Sequence, residues 1–414
     1  MTTMMRDKSW AVLATVFFAL TAGSTAAVAE PTMTVNVDCT AGETIAKALT
    51  LGDERKPMLV VVKGTCNESV SVERSDVTLQ GDPLTGGSVN GPDPNVDTLR
   101  VTGSRVIVDG LTATGGRNGI TASGAAGLTV RNTTIQLSGR NGISFTSGAS
   151  GVVDGCTIQL NPRDGVAIDA AQATVVNSSV TQNARFGVLV TNGGSARLGV
   201  DNVGTGAGNT ISLNGSNGVI VSLGSSALIA MSQITGNGTD PAANGRAGVT
   251  VVNATADIIG GNTISGNPGQ GVFALSASVQ VGDTNFGFSS VNTITGNGSA
   301  ANQGGVSGFL GSSMVVRNAV ISGNSGFGLQ LSLKSNAQLI ASTIQNNVAG
   351  GGTGDGIRLM FGSGLLISPP NTVVSGNTGF DLRCTDGESS FVGGAFLVLS
   401  GNGLGGVSGS CTGF

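Results

Sequence analysis

The chain has 414 residues, of which 69 are glycine and only 11% are charged, against about 7% glycine and about 25% charged residues in ordinary globular proteins. Ten prolines and no three-residue glycine period exclude a collagen-like fibre, and 39% hydrophobic residues with a formal charge of −4 exclude a disordered chain. The sequence contains no histidine, which removes Ser-His-Asp and Cys-His nucleophiles and every histidine-ligated metal site.

Residues 1–29 carry Arg6 and Lys8, then an apolar run from Trp10 to Leu20, then small residues ending Ala27-Val28-Ala29. This order predicts a secretory signal peptide, and its apolar run is shorter than the about 20 residues of a membrane span. Cleavage would start the mature chain at Glu30 and remove Trp10. The remainder is net acidic without a basic tail, which argues against nucleic acid as a partner. Five cysteines fit a secreted, extracellular or periplasmic protein. Cys39 and Cys66 lie 27 residues apart, as do Cys384 and Cys411. Local pairs Cys39–Cys66 and Cys384–Cys411 would tie down both ends, and are one of the three pairings that four cysteines allow. Cys156, inside a repeat, is expected to be a buried small residue.

Residues 30–100 read as an N-terminal cap and first coils. Within them, residues 41–51 place Ile45, Ala46, Ala48 and Leu49 on one face and predict a short capping helix before the strand Met58–Val62. The loop Gly81–Asp97 holds Asp82, Asp93 and Asp97, clustered carboxylates that can bind calcium, but their spacing matches no calcium loop, so no cofactor is expected from a motif.

Residues 101–380 repeat. A glycine followed by a branched aliphatic recurs at Gly119, Gly142, Gly165, Gly187, Gly218, Gly248, Gly271, Gly305, Gly328 and Gly356, with a base interval of about 23 residues. In most repeats an asparagine stands four residues before that glycine, as in Asn161, Asn183 and Asn214. A third, alternating segment such as Leu128-Thr129-Val130 completes each unit. Three strands of three to five residues per repeat, separated by glycine-rich corners, predict coils that stack about 4.8 Å apart. Insertions at 199–209, 237–247, 297–304 and 347–355 lengthen two different turns. Residues 381–414 read as a C-terminal coil and cap.

The motifs TISGN, TITGN, QITGN and VISGN, each followed by a Gly-Val type strand, resemble the right-handed parallel β-helix family of the pectate-lyase-like superfamily, over roughly residues 58–410. The resemblance implies an all-β, single-stranded, right-handed parallel β-helix, with the asparagine in the turn between the second and third strands. Histidine-bearing motifs of polygalacturonases and alginate epimerases are absent.

Two columns of charge follow from the repeat. Arg117, Arg140, Arg163 and Arg185 each stand two residues before a repeat glycine, and Arg246 returns to that register two coils later. Stacked guanidiniums repel, so they face solvent or an anion, and their forks suit carboxylate, sulfate or phosphate. One reading is an edge that binds an acidic polysaccharide or cell-surface glycan. The other is a solvated ladder partly neutralised by neighbours such as Asp164. The second column is Asp109, Arg131 and Asp154, spaced 22 and 23 residues apart. It is either an ion-pair ladder or, as the superfamily resemblance implies for this face, the catalytic residues of an atypical polysaccharide lyase or hydrolase. A purely structural or adhesive solenoid is a third reading. Phe145, Phe186, Phe273, Phe309 and Phe327 occupy repeat positions where core stacking is expected.

Overall fold

The computed structural model describes residues 33–201, 207–282, 290–299, 303–350, 353–409 and 411–412. Alternation of inward aliphatics and outward polar residues makes each repeat lay down three short strands, and each strand pairs in parallel with its counterpart in the next repeat. Sheet A begins with Met33–Asp38 against the first half of Met58–Asn67. It continues through Val106–Asp109, Gly127–Arg131 and Ser150–Asp154. Sheet B holds the strands of the TITGN type, such as Thr134–Gln136 on Thr157–Gln159. Sheet C holds the strands that follow the repeat glycine, such as Ile120–Ser123, Ile143–Thr146 and Val166–Asp169. It counts 14 strands among the described residues.

The tube is filled by columns of aliphatic side chains. Ile135, Ile158, Val180 and Ile211 succeed one another on sheet B, each fully buried. The repeat glycine is a packing requirement. A Cβ on Gly142 would lie 2.6 Å from Ile158 Cγ2 and 2.8 Å from the carbonyl oxygen of Gly165 on the next coil, closer than real carbon contacts. Volume is exchanged between sheets in the same way, Gly151 of sheet A leaving room for the ring of Phe145 on sheet C.

The turn from sheet B to sheet C carries the asparagines, as the resemblance implies. Asn161, Asn183, Asn214, Asn237, Asn267, Asn297, Asn324, Asn347, Asn377 and Asn402 form an unbroken ladder. Each donates through Nδ2 to Oδ1 of the next, at 2.8–3.2 Å. The same Oδ1 also accepts a backbone N–H of the preceding coil, and Nδ2 reaches a carbonyl, as from Asn267 to Ile234. Every polar atom of a buried amide is thereby used.

Cys156 stands where neighbouring coils place Thr133 and Ser178, whose hydroxyls donate to backbone carbonyls at 2.7 Å. Its thiol points at the carbonyls of Val130 and Asp154, both at 3.4 Å, and burial pushes its pKa up to about 11. It behaves as a small buried residue.

Both local disulfides are present, Cys39–Cys66 and Cys384–Cys411, with Cα separations of 5.1 and 5.2 Å. The capping helix is a single turn, Ile45–Leu49, shorter than residues 41–51 because Cys39–Ala41 forms a separate 3-10 turn. The Glu68 carboxylate accepts the N–H groups of Ile45 and Ala46 at 2.7 and 3.1 Å, complementing the helix start. Strand Met33–Asp38, which the sequence pattern did not reveal, adds a first rung beneath this cap. At the other end the coil pattern persists through Phe380–Cys384, Ser390–Val392, Leu397–Ser400 and Gly405–Ser408. The signal peptide expected at 1–29 lies outside the described residues, among which no helix is long and apolar enough to cross a membrane.

Candidate functional site

The predicted arginine column exists as a backbone feature. Arg163 N–H donates to Arg140 O at 3.0 Å, Arg185 N–H to Arg163 O at 2.9 Å, and Ser216 N–H to Arg185 O at 2.7 Å. These residues therefore sit on successive coils, at the end of the turn that leads from sheet B into sheet C. Their side chains fall into two groups. Arg117 grips Asp97 through Nε and Nη2 at 3.0 and 3.2 Å, and Arg185 grips Asp164 in the same way at 2.7 and 2.6 Å. Both aspartates are buried, so each pair is a charge anchored into the wall. The Asp97 hydrogen bond raises the Arg117 pKa above its ordinary value. Arg140, Arg163 and Arg246 make no salt bridge among the described residues, and Arg246 only donates from Nε to Gly238 O at 3.0 Å.

The insertion at 237–247 converts part of this edge into a cleft of about 760 Å³. Arg246 and Asp240 belong to the inserted segment, Arg185 and Phe186 lie across from it, and Ile220, Thr250 and Phe273 line the cleft from sheet C. Those three occupy in-register positions on consecutive coils. The Arg185 guanidinium lies 4.5 Å over the Phe186 ring, a cation–π contact that fixes its orientation. Core stacking holds for Phe145 and Phe327, which are buried. It does not hold for Phe186, Phe273 or Phe309, which are only partly buried. Phe273 takes an outward position of its strand and meets Phe309 at a ring separation of 6.2 Å. An apolar ring surface beside two arginines suits a sugar that carries an acidic group.

The column on sheet A is also assembled as expected. Arg131 is in register with Asp109 on one side and Asp154 on the other. Arg131 Nη2 is 2.9 Å from Asp109 Oδ2, and Asp109 is almost buried. Asn132 donates to Asp109 at 3.1 Å and Asn177 to Asp154 at 2.9 Å. The groove on the outer face of sheet A runs over Thr129, Val152 and Thr174 between Arg105 and Arg197, and does not include the three candidates. The carboxylates of the loop 81–97 are engaged separately: Asp82 by the N–H groups of Leu84 and Thr85, Asp93 by Asn95, and Asp97 by Arg117.

Sequence reasoning located the insertion 237–247 but not the cleft it makes, and it missed Asp97 as a partner and the outward residues of sheet C. These last, Gln330, Arg358 and Arg383, each stand two residues after the position of a repeat glycine, a rule that counting along the repeats contains.

The sequence profile described as "Right handed beta helix region" matches residues 61–203 and 244–396, well over half of the chain. No curated protein sequence matches it. Among solved structures, the A-module of an Azotobacter vinelandii mannuronan C-5 epimerase superposes with a TM-score of 0.56 at 17% identity, over 89% of this chain and 92% of that one. A periplasmic alginate epimerase gives 0.47 at 11% identity, over 91% and 84%. Pectate lyase Pel9A gives 0.43 at 14% identity, over 69% and 78%. At these identities the similarity is one of fold.

Proposed function

Because this chain belongs to the right-handed β-helix family, and because its inserted loop gathers arginine and phenylalanine into one cleft, we propose that it binds an acidic polysaccharide or cell-surface glycan outside the cytoplasm. The observation that carries this reading is the cleft between Arg185 and Arg246, lined by Phe186 and Phe273. Arg140 and Arg163 extend it along the edge as cations with no carboxylate partner among the described residues. The two disulfides suit an oxidising compartment, and the likeness to a mannuronan epimerase module supports a polysaccharide as the ligand class. A lyase or hydrolase acting through Asp109, Arg131 and Asp154 has no comparable support. Arg131 is held by Asp109, and arginine serves as a base only if its pKa falls far below the usual range.

The test is retention of the protein on immobilised polygalacturonate and alginate at increasing salt. Wild type is retained and released by salt, as charge-dominated binding requires. The combined variant R140A/R163A/R246A, which disturbs no buried ion pair, elutes in the void. Equal retention of variant and wild type overturns the reading.

A further inference from the structure

Further along the same outer face, sheet C places Ser307, Gln330, Arg358 and Arg383 in one register on successive coils, at steps of about 4.8 Å. Two adjacent arginines here, Arg358 and Arg383, lie in the field of one buried carboxylate, Asp355, and neither is hydrogen-bonded to it. That carboxylate already accepts the Phe380 N–H at 3.1 Å and the Thr353 hydroxyl. Its approach to Arg383 Nη1 is 3.8 Å, too long for a hydrogen bond. The pairs Asp97–Arg117 and Asp164–Arg185 show what a satisfied site looks like, because in both an aspartate in this turn receives a fork from the arginine one coil on. After Asp355 the corresponding residue is Gly379, and the fork is missing.

Arg358 consequently makes no hydrogen bond or salt bridge among the described residues, and its Nε is sheltered from solvent. Burial, together with Arg383 beside it, lowers its pKa, while the field of Asp355 opposes that. A half-buried guanidinium without acceptors is costly to the folded chain. One coil back, Gln330 is 7% exposed and its Oε1 has no donor. Donors that lack acceptors thus adjoin an acceptor that lacks a donor. Arg383 keeps 33% of its side chain open to solvent and Arg358 is partly exposed, so a ligand can reach the guanidiniums, whereas Arg358 Nε and Gln330 Oε1 are covered and engage a ligand only when their side chains turn outward.

We propose that Arg358, Arg383 and Gln330 form a subsite for one acidic sugar residue, its anionic group bound by the two guanidiniums and a neighbouring hydroxyl donated to Gln330 Oε1. The subsite deepens the acidic-glycan reading and rests on it. The anionic group is a carboxylate or a sulfate ester, which are two sources of the same chemistry.

Calorimetric titration of the whole protein with short oligogalacturonates, and in parallel with chondroitin sulfate oligosaccharides, separates the sources by which series binds. R358Q weakens the binding series by about tenfold or more, the loss expected of a charge-assisted hydrogen bond. Q330L weakens it less, and R163A/R246A weakens it independently. R358Q melts at or above the wild-type temperature, since no internal bond is removed. A lower melting temperature would mean that Arg358 has a structural partner, and overturns the subsite. If R358Q binds like wild type while R163A/R246A is weakened, the subsite falls and the glycan reading stands. If wild type binds neither series, both fall.

Discussion

The asparagine column and the arginine column lie within a few residues of each other on the same turn, and both repeat once per coil. They meet opposite fates. An amide carries a donor and an acceptor, so one asparagine satisfies the next, and the column closes on itself from Asn161 to Asn402. A guanidinium carries donors only. No arginine can satisfy its neighbour, and each must find an acceptor elsewhere. Arg117 and Arg185 find buried aspartates, whereas Arg140, Arg163 and Arg358 find no carboxylate to pair with among the described residues. A repeated residue that is self-complementary builds structure, and a repeated residue that is not leaves a demand that an external ligand can meet.

The largest expected effect comes from breaking the self-complementary column. N267A strands the Asn237 amide and backbone N–H, the Ile234 carbonyl and part of Asn297. It should cost about 4 kcal/mol or more in urea unfolding, with hydrogen exchange accelerating first in the adjacent coils. Next is R185A, which leaves Asp164, a side chain only 1% exposed, without its cation. A loss of about 3 kcal/mol is expected from removing one partner of a buried pair. A result near zero would show that the anchored arginines are no different from the unanchored ones.

Asp381 offers a third contrast, being a polar residue at a repeat-glycine position, in register with Gly356. Its neighbour on the following strand of sheet C is Gly406, which has no side chain to crowd it. Asp381 is buried, its Oδ1 has no partner, and burial raises its pKa from 3.8 to about 7. The unfolded chain then releases this proton near pH 3.8 and the folded chain near pH 7. Stability therefore falls as pH rises across that window and is level above it. D381N should remove the slope and raise stability above pH 7 by about 2 kcal/mol, less than the full shift because the new amide also needs partners. Melting temperature against pH reads this directly. The smallest effect is that of R163A on stability, within about 0.5 kcal/mol, because its side chain makes no hydrogen bond or ion pair among the described residues.

The fold was legible because a packing constraint wrote itself into the sequence at a fixed interval. Gly142 must be glycine to admit Ile158 and Gly165, and the same collision recurs on every coil. The arginine register was legible for the same reason. The partners were less so: Asp97 lies 20 residues before Arg117, off the interval of the arginines themselves, and Asp164, visible as a neutralising neighbour, is gripped by Arg185 of the next coil, 21 residues on. Phe186 and Phe273 were assigned to the core because periodicity locates a residue along the strand, whereas the roof that makes a cleft comes from an aperiodic insertion. Arg358 was hidden by the insertion at 347–355, which lengthens the preceding interval to 28 residues and obscures its alignment with Gln330.

The asparagine ladder is also directional. Every rung donates towards the C-terminal coil, and the last amide, Asn402, turns back to the carbonyl of Ser400. Each coil therefore offers identical donors on one side and identical acceptors on the other, so a whole coil can be gained or lost by duplication or deletion without leaving a mismatched rung. The arginine-bearing edge can lengthen or shorten over generations one coil at a time, while the interior that supports it stays chemically the same.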